Sequence, residues 1–251
     1  MTIEKDLVFV TTTLNTKWLA HQARLLDNAF PGVKRIVVDG GSDWPNSWFY
    51  WIDEVKKTDA KYYVHVDEDF FLESPEELKK CIAILENDEA DLVGPPDGYH
   101  QYRGANPVAI NTFLMIGRVE HLRKVDLRGI RFGWSPNGWM NSFGLSYKES
   151  YSNDFQYPHR QQGGSNFGFE QEPYYAFLWA MKEVGCRFAY LYPHFDERFK
   201  STNPRIDEGS ADIGIHMWYT RQWNSQEDVH GMTNQQRYGE VERYLESKIN
   251  Q

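Results

Sequence analysis

The residues of this chain best suited to chemistry are three consecutive acids, Asp67-Glu68-Asp69. They end the apolar run Tyr62-Tyr63-Val64-His65-Val66 and are followed by another, Phe70-Phe71-Leu72. In extended backbone successive side chains alternate faces, so Asp67 and Asp69 are expected on one side and Glu68 on the other. Two carboxylates a few ångströms apart resist joint ionisation unless a cation lies between them. Oxygen ligands of this kind suit magnesium, manganese or calcium, and a site with one or two protein carboxylates leaves positions for water and phosphate. The competing reading is a turn with a solvated acidic tip, because short acid motifs also arise without function.

The elements that would position these acids read as strands alternating with helices. Leu7 to Thr12 is a β-rich run, and apolar residues at helical spacing follow from Trp18 to Phe30, closed by Pro31-Gly32. Arg35 to Asp39 is a second strand closed by Gly40-Gly41-Ser42, Trp48 to Lys57 is helical, and Lys61 to Val66 is the strand that delivers the acids. Ser74-Pro75-Glu76-Glu77 carries the cap, the first-turn proline and the first-turn acids of a helix over 75–87. Asp91 to Gly94 and Val108 to Ile116 are expected strands, with a short helix over Val119 to Val125. The expected fold class is α/β, a Rossmann-like, mainly parallel sheet with helices on both faces. Ligands bind such sheets at the carboxyl ends of the strands. Three successive strand ends here carry Thr11-Thr12-Thr13, Asp39-Gly40-Gly41-Ser42 and Asp67-Glu68-Asp69.

Beyond Pro95 the pattern changes. Gly129 to Phe169 is rich in Gly, Asn, Ser, Tyr and Trp, too long for a simple connection, and is expected to be a binding surface or lid. A helix is expected from Glu170 to about Glu183, a strand over Arg187 to Tyr192 and polar loop over 193–212. A short β-like run covers Ile213 to Trp218, and a helix covers Asn234 to Ile249. One domain over 1–251 is expected, with a ligand-binding half at 1–125 and an aromatic-rich half at 126–251.

Composition narrows the function classes. Lys and Arg number 27 against 36 Asp and Glu, a net charge of -9, which argues against nucleic-acid binding through a basic surface. An acidic protein that binds a polyanionic nucleotide needs a metal as intermediary. The two cysteines, Cys81 and Cys186, are too few for a disulfide framework, so a reducing, cytoplasmic setting is expected. No run approaches the length of a membrane span; peripheral membrane contact stays open.

Val10-Thr11-Thr12-Thr13-Leu14-Asn15, Ile36-Val37-Val38-Asp39-Gly40-Gly41-Ser42 and His65-Val66-Asp67-Glu68-Asp69, in this order and spacing, resemble the N-terminal half of a GT-A nucleotide-sugar glycosyltransferase, closest to family 2. The resemblance covers about the first 120 residues well and Glu170 to Tyr192 loosely. It implies a metal-dependent transfer of sugar from a nucleoside diphosphate donor, UDP-sugar by default, to a saccharide or other hydroxyl acceptor, with inversion. By that resemblance Asp39 contacts the nucleobase, while Thr11 and Thr13 lie beside the nucleotide. Asp69 binds Mn2+ or Mg2+ directly, and Asp67 reaches the ribose or the metal through water. Gly40 departs from the second acid or Asn of many relatives. His216, held in the apolar run Ile215 to Trp218, is the expected third metal ligand, with His194 as the alternative; an imidazole ligand favours manganese.

The resemblance also places a catalytic acid at a helix start, here Glu172 or Glu170 in Phe169-Glu170-Gln171-Glu172-Pro173, where the usual Glu-Asp pair is split by Gln171. Ordinary capping is the other reading of Glu172. Trp134, Trp139, Tyr147, Tyr151 and Tyr157 suit stacking on an acceptor sugar, Gly163 to Asn166 suits a hinge, and Arg103, Arg160 and Lys200 are candidates for the diphosphate. Two other classes compete: a catalytically silent carbohydrate- or nucleotide-binding module, and a sugar nucleotidyltransferase. The second lacks a Gly-rich, Lys-bearing phosphate loop near the N-terminus.

Overall fold

The computed structural model describes residues 3–41, 46–96, 109–125, 174–218 and 223–249. A six-stranded sheet organises them, built from β1 (Leu7–Thr13), β2 (Lys34–Asp39), β3 (Tyr62–Val66), β5 (Leu92–Gly94), β6 (Leu114–Arg118) and β7 (Phe188–Tyr190). The spatial order is β2-β1-β3-β6-β5-β7. Parallel pairings join β1 to β2 and β3, and β5 to β7, while β6 runs antiparallel to both β3 and β5. Five strands therefore point one way and β6 opposes them. The fold is mixed α/β with a mostly parallel central sheet.

Strand alternation divides the core cleanly. Leu7 and Phe9 of β1, with Val64 and Val66 of β3, face α1 (Thr16–Ala29) and α3 (Pro75–Glu86), whose Leu26, Leu78, Ile82 and Leu85 bury against them. Val8, Val10 and Tyr63 face the other way, onto α2 (Tyr50–Lys56), α4 (Val119–Lys124) and α5 (Tyr174–Glu183). Both faces are covered, as a mostly parallel sheet requires. Ser74 caps α3 by accepting from the Glu77 N–H at 3.3 Å with Pro75 at the first turn, so the cap read from sequence is present.

A third apolar cluster lies outside the main sheet. β4 (Phe70–Leu72) pairs antiparallel with β10 (Gly214–His216), placing His216 opposite Phe70. Phe71 and Ile215 pack with Trp18 of α1 and with Tyr238, Val241 and Leu245 of the terminal helix α6 (Asn234–Ile249). The pairing is tight at Gly214, where an added Cβ would come within 2.6 Å of the Phe71 carbonyl oxygen, so only glycine fits.

Three expectations need correction. The span 193–212 is not all loop: β8 (Tyr192–Asp196) and β9 (Ser201–Arg205) form an antiparallel hairpin, which polar in-register pairs such as His194 with Asn203 concealed from a hydrophobic reading. The strand expected from Val108 begins at Leu114; within the segment before it, Ile110 makes only an isolated bridge to Pro96. The acids at 67–69 are not extended, because the Phe70 N–H donates to the Asp67 carbonyl at 3.1 Å and closes a turn between β3 and β4. A two-residue hairpin (β11, Asp228–Val229; β12, Met232–Thr233) precedes α6. Among the described residues no helix is long and apolar enough to cross a membrane. Cys81 and Cys186 are free and buried, with burial pushing each thiol up to about 12.

One ion-pair network ties β5 to β7. Asp91 accepts from the Arg187 N–H and Nε at 2.9 Å each and from its terminal nitrogen at 3.1 Å, while Arg187 also reaches Asp88 at 2.8 Å. Burial alone would raise the Asp91 carboxyl, but the Arg187 hydrogen bonds outweigh it and hold the group at about 2, against an ordinary 3.8. A carboxyl depressed in the folded state stabilises the fold above its unfolded value and loses that contribution as pH falls through the folded one. Acid unfolding monitored by circular dichroism is expected to show Asp91→Asn less stable than the parent at pH 6, by roughly 1–2 kcal/mol once the half-exposed guanidinium is discounted for screening. The gap is expected to close between about pH 4 and pH 2.

Candidate active site

The carboxyl ends of β2, β1 and β3 lie side by side, and the residues expected there are brought together in part. Thr11, Thr12 and Thr13 are buried at the end of β1. Beside them Asp39 ends β2, exposed, its Oδ1 accepting from the Gly41 N–H at 2.8 Å in an Asx turn. The Gly40 N–H continues the sheet by donating to the Thr13 carbonyl at 2.9 Å. A Cβ on Gly40 would meet Leu14 Cδ2 at 3.2 Å and the Thr13 oxygen at 3.2 Å. A side chain at this position would have to displace Thr12 Cγ2 or the Leu14 tip by a few tenths of an ångström.

The acid turn is pinned by backbone on both sides. The Asp67 N–H donates to the Phe113 carbonyl at 3.1 Å, and the Asp69 carbonyl accepts from the Met217 N–H at 3.1 Å. The second bond extends the β4–β10 ladder, which is why a histidine from late in the chain arrives at this turn. His216 Nε2 lies 3.6 Å from Asp69 Oδ1, and both side chains are almost fully buried, 4% and 10% exposed. The imidazole stacks on Phe113, ring centroids 3.6 Å apart and planes within 16°, and its other neighbour is the Trp218 ring at 4.1 Å.

The far end of the chain holds His216 in place. Arg237 of α6, fully buried, donates to the carbonyls of Met217 at 2.9 Å, Lys200 at 2.9 Å and Phe199 at 3.1 Å, and Tyr238 Oη donates to the Trp218 carbonyl at 2.9 Å. Trp218 adopts φ +50°, a left-handed backbone unfavourable for a bulky residue, which these bonds hold in place. On the hairpin side, Asn203, also fully buried, accepts from the His216 N–H at 3.4 Å and donates to Asp212 at 2.8 Å.

The remaining acids have separate roles. Asp67 is turned towards His65, Oδ1 to Nδ1 3.9 Å, and is more exposed than Asp69. Glu68 is buried, and its Oε1 accepts from the Leu14 N–H at 3.3 Å, tying the acid turn to the end of β1. His65 donates from Nδ1 to the Thr112 carbonyl at 2.7 Å. Burial lowers it to about 4 against the support of that bond, so it is neutral at physiological pH. His194, the alternative ligand, is engaged elsewhere: its Nδ1 lies 3.0 Å from Asp212, beside Arg205. Lys200 pairs with Glu197 at 2.5 Å. Glu170, Glu172, Trp134, Trp139, Tyr147, Tyr151, Tyr157, Gly163 to Asn166, Arg103 and Arg160 lie outside the described residues, as does Ser42.

Asp69 and His216 offer the donor set of a transition-metal site, one carboxylate oxygen and one imidazole nitrogen converging from two elements. Among the described residues no group of three His, Cys, Asp or Glu side chains is gathered for a metal. A cation held by this pair would take its remaining ligands from water and phosphate. Sequence reasoning missed Gln22, Phe113, Asn203 and Arg237, and it placed Glu68 on the opposite face without its link to the Leu14 N–H. The one legible signal among them was Gln22, a polar residue set between Trp18 and Leu26 at helical spacing in the buried stripe of α1.

No family model matches the chain, and no curated protein does. Among solved structures it is similar to a glycosyltransferase involved in the glycosylation of the major capsid of PBCV-1, at 10% identity over 74% of this chain and 81% of that one, TM-score 0.44. It is similar also to A197 from STIV, at 12% identity over 82% of this chain and 96% of that one, TM-score 0.40. Both likenesses are too distant to add weight to the geometry.

His65 offers a direct check on how the acid turn is supported. Replacing it by Leu leaves the buried Thr112 carbonyl without its donor and is expected to cost about 1–3 kcal/mol. His65→Asn, whose amide can reach the same oxygen, is expected to recover part of that loss. Urea denaturation at pH 7 measures both.

Proposed function

We propose that this chain is a metal-dependent glycosyltransferase of the GT-A type, transferring a sugar from a nucleoside diphosphate donor, UDP-sugar by default, to a hydroxyl of a saccharide acceptor with inversion. The observation that carries the reading is the approach of His216 to Asp69, 3.6 Å, just beyond the end of β3, next in the sheet to the end of β1 and, beyond it, β2. A buried carboxylate facing a buried imidazole at the ligand-binding edge of a mostly parallel sheet is a donor pair that a bound cation would fit.

In this reading Asp69 and His216 hold Mn2+ or Mg2+, with Asp67 as the more solvent-facing partner towards the ribose or a metal-bound water. The cation supplies Lewis acidity that offsets the charge growing on the departing diphosphate. Asp39, exposed at the end of β2 with its backbone set by the Gly40-Gly41 turn, meets the nucleobase, and Thr11 and Thr13 line the nucleotide side. The buried aromatic stack of Phe113, His216 and Trp218 excludes water behind the reacting phosphate and fixes the imidazole plane. The acceptor's proton is assigned to Glu172 or Glu170, whose removal of it would sharpen the hydroxyl as nucleophile.

The test is release of UDP from a panel of UDP-sugars, with manganese and a set of saccharide acceptors. Asp69→Ala and His216→Ala are each expected to lower turnover about 100-fold or more while the protein stays folded. Glu172→Gln and Glu170→Gln separate the two candidate bases. Binding of UDP and manganese with no turnover across the panel would instead make the chain a silent binding module.

A further inference from the structure

Gln22 is a buried polar residue that the proposed reaction does not use. It lies on α1 in the stripe that otherwise buries Trp18 and Leu26, and it is 1% exposed. A buried amide there is expensive unless both its ends are satisfied. Both are. The Thr11 hydroxyl donates to Gln22 Oε1 at 3.1 Å, and Gln22 Nε2 donates to the Asp67 carbonyl. One side chain from a helix thereby joins the end of β1 to the first residue of the acid turn.

Those two points belong to different halves of the proposed site. Thr11 sits on the nucleotide side, and the Asp67 carbonyl is the oxygen that closes the turn by accepting from the Phe70 N–H. The turn's curvature decides where Asp69 points, and so where it meets His216. Glu68 makes a second link of the same kind, from the turn to the Leu14 N–H. Gln22 differs from Glu68 in coming from a rigid helix outside the turn, capped by the Asn15 side chain accepting from the Lys17 N–H at 3.1 Å.

Resting on the glycosyltransferase reading above, we propose that Gln22 is a positioning residue: through the Asp67 carbonyl it sets the acid turn in the conformation that lets Asp69 and His216 share one cation, and through Thr11 it fixes the nucleotide side to the same frame. Gln22 touches neither donor nor acceptor. Its role is to convert the rigidity of α1 into the geometry of the metal pair, as partners behind metal ligands do elsewhere.

The experiment measures manganese affinity by electron paramagnetic resonance, with no nucleotide and no turnover required. Gln22→Glu keeps the size and the acceptor for Thr11 but faces the Asp67 carbonyl with an oxygen, and Gln22→Met removes both arms. Each is expected to weaken manganese binding about 10-fold or more. Leu26→Ala, a cavity in the same buried stripe, serves as control and is expected to lower the melting temperature without moving manganese affinity. If a Gln22 variant does not fold, Thr11→Val, which frees the amide from its second anchor, is expected to weaken manganese binding, and Thr11→Ser to restore it. Wild-type manganese affinity in folded Gln22→Glu and Gln22→Met, or in Thr11→Val, would overturn the positioning role and leave the glycosyltransferase reading standing. No manganese binding by the parent protein would overturn the reading beneath and the inference with it.

Discussion

Much of this structure follows from keeping one carboxylate, Asp69, nearly out of water beside the His216 imidazole. A buried carboxylate is tolerated only when paired, hydrogen-bonded or bound to a cation, and the surroundings are arranged accordingly. β10 delivers His216 by pairing with β4, and that pairing is close enough to demand glycine at 214. α6 then holds the backbone beyond His216 through Arg237 and Tyr238, and tolerates a left-handed tryptophan to do so. The third apolar cluster, outside the main sheet, is what fastens this late segment to α1.

The second constraint is the turn itself. Three acids in a row repel, and the turn separates them by function. Asp67 faces His65, Glu68 folds inward to the Leu14 N–H, and Asp69 faces His216. The neutral His65 carries no charge that would compete with a cation for Asp67. Gln22 and Glu68 brace the turn against β1, so the two sides of the site share one frame.

The N-terminal half of the fold was legible in the amino-acid pattern because its strands and helices are amphipathic at distinct periods and its caps are explicit. Leu7 to Thr13, Lys34 to Asp39, Tyr62 to Val66 and the Ser74-Pro75 cap lie within a residue or two of expectation. The polar β8–β9 hairpin was not legible, since its pairs satisfy hydrogen bonds instead of filling a core. The turn at 67–69 was read as extended because alternation ignores the Phe70 to Asp67 hydrogen bond that closes it. His216 was found from its rigid apolar setting; Gln22 shows in the sequence only as a polar residue in an apolar stripe, and the several hydrogen bonds of Asn203 and Arg237 have no periodic signature. Local patterns reveal elements; the partners of buried polar groups are set by tertiary contact.

The central claim is that Asp69 and His216 hold one cation at the strand ends. The most direct measurement is a crystal structure of the protein with manganese and UDP, with the metal located by its anomalous scattering. The account predicts one peak bonded to an Asp69 carboxylate oxygen and His216 Nε2, with diphosphate oxygens completing its coordination. A manganese peak elsewhere, or UDP bound with Asp69 and His216 paired only to each other, would contradict it.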